Sequence, residues 1–120
     1  MPNLSRLDAD AVLLQLFGKE LYIGLARDDP SDEEIDPGYR RKSIRLSAPQ
    51  GDDVRFVTNT EPILFPEYRK DASKEVRFVF LADSMEGGIQ RWSEELDKPQ
   101  KLGAGSILFF ATGKFKIGVQ

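Results

Sequence analysis

The spacing of apolar residues changes once, at Gly18, and the change separates a helical segment from everything that follows. Before it, Ala9, Ala11, Val12, Leu13, Leu14, Leu16 and Phe17 form a run of good helix formers. Ser5 stands three residues ahead of Asp8, a variant of the capping box, and Gly18-Lys19 closes the run. One helix over about residues 5–17 is therefore expected. Its apolar positions fall on more than one stripe: Leu7, Ala11 and Leu14; Ala9, Leu13 and Leu16; and Val12. Such a helix should be covered on more than one side, in part by a partner or a neighbouring subunit, which makes Leu13 and Leu16 candidate interface residues.

After Gly18 the signals are those of strands. Leu21, Tyr22, Ile23 and Leu25 make a short apolar run that reads as a buried strand, and the turn-rich stretch from Arg27 to Gly38 reads as a loop. Further strands are expected at Ser43–Ala48, Val54–Thr58, Pro62–Phe65, Glu75–Ala82, Ile89–Ser93, Ser106–Ala111 and Lys114–Val119, about eight in all. Pro49-Gln50-Gly51, Asp83–Gly88, Gly103-Ala104-Gly105 and Thr112-Gly113 punctuate them. Two strands alternate as half-solvated strands do. In Glu75–Phe80 the set Val76, Phe78, Phe80 points one way, and in Lys114–Val119 the odd positions are apolar. Ile107–Ala111 has no polar alternate, which predicts a central strand covered on both faces, or one covered by the helix or a neighbour.

This is the pattern of an antiparallel sandwich or barrel, with no room for helical crossovers. The expected fold class is all-β, mainly antiparallel and sandwich- or jelly-roll-like, with one N-terminal α-helix. At 120 residues, one domain over 1–120 is expected.

Composition then removes chemistry. Cysteine and histidine are both absent, which excludes thiol nucleophiles, disulfides, zinc-finger sites, Ser-His-Asp triads and imidazole acid–base catalysis. A net charge of -3 does not draw the chain to polyanions, so no nucleic acid partner is expected. No segment approaches the roughly 18 apolar residues of a bilayer crossing, so no membrane partner is expected. Asp8 and Asp10 stand beside the apolar stretch where a secretory signal would carry positive charge.

The remaining constellations are weak. Asp28, Asp29, Asp32, Glu33, Glu34 and Asp36 could supply oxygen ligands to a hard cation, but they lack the spacing and central Gly of a calcium loop. A solvated acidic loop without metal is expected. Arg40, Arg41 and Lys42, with Arg45, form the basic cluster; alternation would put Arg41 and Ser43 opposite Arg40, Lys42 and Ile44. Its ordinary use is a salt bridge to the acidic loop, and phosphate binding is the sharper alternative. Trp92, Tyr39 and Tyr68 could make a sugar platform, against the commoner use of such rings as packed groups with a satisfied polar tip. Gly113-Lys114 fails as a phosphate loop, because Leu108 stands where a Gly belongs and a strand follows. No nucleophile, carboxylate pair, cofactor site or metal site is selected, so no catalytic residue is assigned.

Read in order, the chain resembles small bacteriophage virion proteins of the tail-fibre or minor-tail kind. The resemblance runs through the N-terminal helix, Leu21-Tyr22-Ile23-Gly24-Leu25, Asp29-Pro30 and Gly38-Tyr39-Arg40-Arg41. It continues through Thr58-Asn59-Thr60, Ile63-Leu64-Phe65-Pro66, Val79-Phe80-Leu81-Ala82-Asp83, Gly87-Gly88, Pro99, Gly103-Ala104-Gly105-Ser106, Leu108-Phe109, Gly113 and Ile117. It implies a β-rich virion component, made in the host bacterial cytoplasm, with no catalytic residues to carry over. The chain departs from that pattern in carrying more charge, at Arg40, Lys42, Glu75 and Arg91–Lys98. A non-enzymatic tail- or fibre-associated subunit is thus expected, a homo-oligomer contacting other virion proteins through Leu13, Leu16, Arg40, Arg41, Lys42 and Trp92. Two alternatives stay open: a capsid decoration protein, and a module that binds a host-surface glycan.

Overall fold

The structure, a computed structural model, describes residues 5–52 and 54–119. It contains one helix, α1 (Arg6–Phe17), followed by β1 (Leu21–Ala26), β2 (Lys42–Ile44), β3 (Arg55–Thr58), β4 (Ile63–Leu64), β5 (Val76–Ala82), β6 (Gln90–Gln100), β7 (Phe109–Phe110) and β8 (Lys116–Val119). The fold is mainly antiparallel β with a single N-terminal helix, and no sheet among the described residues closes into a barrel. The chain weaves between two compact units, one built from residues 1–20, 44–63 and 110–120, the other from 21–43 and 64–109.

In the first unit, the Ser5 side chain accepts a hydrogen bond from the Asp8 backbone N–H at 3.1 Å, which is the cap read from the sequence. At the other end the Gly18 N–H bonds to the Leu14 carbonyl at 2.9 Å. A Cβ on Gly18 would lie 2.4 Å from that carbonyl oxygen, so only glycine ends the helix this way. The helix buries one stripe, Ala9, Leu13 and Phe17, at an i, i+4, i+8 spacing. Leu7, Leu14 and Leu16 are 79%, 55% and 38% exposed, so this chain covers one side of the helix where more than one was expected.

Helix α1 packs on β3, which pairs with β8 in the register Arg55↔Val119 to Thr58↔Lys116. In β8, Ile117 is buried while Lys116 and Gly118 are exposed, which is the alternation the sequence predicts. Arg55 grips Asp10 with two parallel hydrogen bonds, Nε to Oδ1 at 2.7 Å and Nη2 to Oδ2 at 3.0 Å. It also donates to the Pro49 carbonyl at 3.2 Å and to the Gly51 carbonyl. The hydrogen bond from Arg55 holds the Asp10 carboxyl below the usual carboxylate range. Asn59, 1% exposed, staples the loops: its Nδ2 donates to the carbonyls of Glu61 (2.8 Å) and Ala111 (3.0 Å), and its Oδ1 accepts from the Phe115 N–H (3.0 Å). A buried amide so fully bonded is expected, because an orphaned one would be costly.

The second unit holds the four-stranded sheet, in the order β2-β1-β5-β6. Strands β1 and β5 pair from Tyr22↔Ala82 to Ala26↔Phe78, and Val79, Phe80, Leu81 and Ala82 are all buried. Gly24 faces Phe80, and a Cβ there would fall 2.3 Å from the ring, so the glycine gives the ring its space. Strand β5 is thus half-solvated only at Arg77 and becomes a central strand beyond it.

The run Ile107–Ala111 corrects the sequence reading. It contributes the two-residue strand β7, paired only with β4 and with Ile107 50% and Phe109 59% exposed, so within this chain it is neither central nor covered by the helix, and of the expected covers only a neighbouring subunit is left. An apolar run states which residues avoid water and not whether neighbours cover both faces; here the odd positions face outward. Strand β6 errs the other way, extending well past Ser93 to Gln100. As an edge strand with exposed, polar positions and register shifts at both ends, it has no apolar alternation to announce it.

Candidate interaction surface

The acidic segment between β1 and β2 is expected to be solvated, and the structure shows this at Asp28 and Asp29, which are exposed, while Asp32, Glu33 and Asp36 are half-buried and Glu34 is buried. Asp29 accepts from the Ser31 backbone N–H (2.8 Å) and hydroxyl, an Asx-type turn that follows from a short acid beside Pro30. Asp32 takes the Arg27 guanidinium at 2.8 Å and the Asp28 N–H at 3.1 Å. Asp28 pairs with Lys74. Asp36 accepts from the backbone N–H groups of Gly38 (2.8 Å), Arg69 (3.2 Å) and Lys70 (3.2 Å). Burial works against its ionisation, and those donors outweigh it and hold its pKa below the ordinary value.

Glu34 reaches furthest inward. Glu34 is 6% exposed; its Oε1 accepts from the Ile35 N–H (2.8 Å) and the Asp36 N–H (3.2 Å), and its Oε2 from the Tyr68 hydroxyl (2.6 Å). Glu33 accepts from the Tyr39 hydroxyl (2.6 Å) and from Arg41 at both oxygens, Nε at 2.9 Å and Nη2 at 3.0 Å. Arg41 Nη1 then donates to the carbonyls of Ser84 (2.7 Å) and Gly87 (2.8 Å), and its guanidinium lies 5.0 Å from the centre of the Phe80 ring. One buried arginine therefore ties the acidic loop to the turn between β5 and β6. That turn needs left-handed backbone at Gly87 and Gly88, with φ of 62° and 72°. Burial first, and then the bonds to Glu33 and Glu34, push the Tyr39 and Tyr68 phenols far above their ordinary pKa.

The candidate interface residues take different places. Leu13 is 0% exposed and belongs to the core; Leu16 lies partly exposed on the helix. Arg41 is 7% exposed and spent on the loop, which is the salt bridge read as its ordinary use, whereas Arg40 beside it is exposed. Lys42 is half-buried at the start of β2, and Trp92 is half-buried on β6 opposite Leu81. The aromatic platform does not assemble. Tyr68 is 1% exposed, and the Tyr39 hydroxyl is committed to Glu33 and to the Leu25 N–H (3.0 Å), with its ring stacked on Phe65. What the loop does build is a cleft of about 490 Å³ lined by Glu33, Glu34, Tyr39, Arg40 and Arg41 on one wall and Met85, Glu86 and Gly87 on the other. Sequence reasoning marks Arg40 and misses Glu86, which no periodicity distinguishes from other turn acids.

Among the described residues, no helix is long and apolar enough to cross a membrane. A comparison with curated proteins finds no match. A family profile described as "Podophage GP4 fiber I protein gp80" matches residues 18–118, from the end of α1 into β8 and so across both units. The chain belongs to this family of podophage fibre proteins.

Proposed function

We propose that the protein is a non-enzymatic structural subunit of a phage fibre, working by contact with other virion proteins and with copies of itself. The single observation that carries this reading is the match to a fibre family over residues 18–118. The bonding supports it: the carboxylates and arginines that a reactive site would recruit hold loops in place instead, as Glu33, Glu34 and Arg41 do. A fibre subunit resides in the virion. Peptide mass spectrometry of purified particles, with and without detached fibres, tests the reading. The chain should be a stoichiometric virion component that leaves with the fibres; its absence from particles, or its retention on bare capsids as a decoration protein would show, contradicts it.

A further inference from the structure

We propose that a second cleft, formed by residues 37–40, 66–69 and 104–105, binds an acidic sugar, a pyranose carrying one carboxylate or phosphate group, with Arg40 and Arg69 on the anion and Glu67 taking hydroxyl hydrogens. This cleft shares Tyr39 and Arg40 with the one described above, and its volume of about 600 Å³ is that of a small-molecule site. Arg40, Glu67 and Arg69 all line it and are exposed. Among the described residues none of the three is in an ion pair, whereas Arg27, Arg41, Arg77 and Arg91 of the same unit each have a carboxylate within 4.0 Å.

Two cations against one anion leave the cleft with a net positive charge, and a guanidinium fork meets a carboxylate or phosphate through parallel hydrogen bonds. An ionised carboxylate such as Glu67 only accepts hydrogen bonds, so it opposes a bare anion and suits a ligand that also brings hydroxyl donors. Pro37, Pro66 and the ring of Tyr39, whose hydroxyl is committed to Glu33 and the Leu25 N–H, supply carbon surface for the C–H face of a pyranose. An extended peptide would dock by adding to a strand edge, and every residue lining the cleft lies outside the strands. The three loops are also held against one another before any ligand arrives. Asp36 accepts from the backbone N–H groups of Gly38, Arg69 and Lys70, the Gly105 N–H bonds to the Tyr68 carbonyl (2.8 Å), and the Tyr68 N–H bonds to the Ser106 carbonyl (2.9 Å). A Cβ on Gly38 would fall 2.7 Å from the Glu67 carbonyl oxygen, so glycine lets the first loop close on the second. Walls fixed in this way lower the ordering cost of binding.

Heteronuclear NMR of the full chain titrated with sodium glucuronate, glucose 6-phosphate, glucose, acetate and inorganic phosphate tests this. At least one of the two acidic sugars should shift the amides of residues 38–40 and 67–69 with a dissociation constant in the millimolar range, and the tighter of the two identifies the anion. Glucose lacks the anion, and acetate and inorganic phosphate lack the ring, so each should bind roughly tenfold more weakly. Arg40→Gln and Arg69→Gln should each weaken the acidic sugar roughly tenfold, and Glu67→Gln should narrow the gap between the sugar and the bare anion. Circular dichroism confirms that each variant folds; where one does not, the position of the shifts in the wild type still decides. No shift in these loops at about 50 mM of either acidic sugar, a bare anion bound as tightly as the sugar, or Gln variants that bind like the wild type overturns the proposal. None of these outcomes touches the fibre reading, which the composition of the virion tests separately.

Discussion

Arg55 and Arg41 make the same set of bonds in different settings. Each grips a carboxylate through two nitrogens, Asp10 for one and Glu33 for the other, and each caps two backbone carbonyls of a turn, at Pro49 and Gly51 or at Ser84 and Gly87. They differ in what lies behind them. Arg41 rests on the Phe80 ring, and its carboxylate also takes the Tyr39 hydroxyl, so three donor atoms, two from Arg41 and one from Tyr39, converge on Glu33. Arg55 joins a helix to a strand, and among the described residues no ring lies under its guanidinium as Phe80 does under that of Arg41. The lesson is that an arginine's role follows from what surrounds the pair more than from the pair itself: the same bonds make one residue a link between elements and the other the centre of a loop.

That comparison can be broken by measurement. Arg41→Ala should be the most damaging change, costing about 3 kcal/mol in denaturant unfolding, because Glu33 and two turn carbonyls lose their donors together. Arg41→Lys should recover only a minor part, since an ammonium cannot span both carboxylate oxygens and the carbonyls. Arg55→Ala should cost less than half as much as Arg41→Ala; equal losses would mean that the ring and the phenol add nothing. Tyr39→Phe should cost about 1 kcal/mol, the worth of its hydroxyl to Glu33 and Leu25. The Asp10 link also has a pH signature. A depressed carboxylate pKa contributes stability that is present above the ordinary aspartate range and lost as pH falls through the depressed value. Wild type and Arg55→Ala should therefore converge in thermal stability on acidification, and a gap that persists in strong acid would show the link to be non-ionic. Arg40→Ala should change unfolding by no more than about 0.5 kcal/mol, in contrast to the large loss expected for Arg41→Ala beside it.

How much of this was legible depended on whether a feature was local. The Ser5 cap on Asp8, the stop at Gly18, the buried β1 and the alternation of β8 depend on residues a few positions apart, and sequence shows those directly. The turn at Gly103-Ala104-Gly105 was equally plain, closing with Ser106 N–H on the Gly103 carbonyl. Strand environment was not legible. Val79–Ala82 and Ile107–Ala111 are both apolar runs, yet the first is buried between β1 and β6 and the second is half open to water. Leu13 and Leu16 looked alike as helix residues and differ because a face, once packed, buries one stripe. The sequence shows Arg41 as part of a basic cluster whose ordinary use is a salt bridge to the acidic loop, but its burial depends on Ser84 and Gly87, far along the chain. In the sequence Asn59 stands out only as part of a Thr-Asn-Thr pattern; its partners at Ala111 and Phe115 are likewise remote. Charge composition is a local property, and the pairing of charges is not.

The central claim, that this chain is a structural part of a phage fibre, is tested most directly by electron microscopy of intact particles labelled with an antibody to it. Label lying on the fibres in regular register is the predicted result; label confined to the capsid, or particles that bind no antibody while carrying fibres, would contradict it.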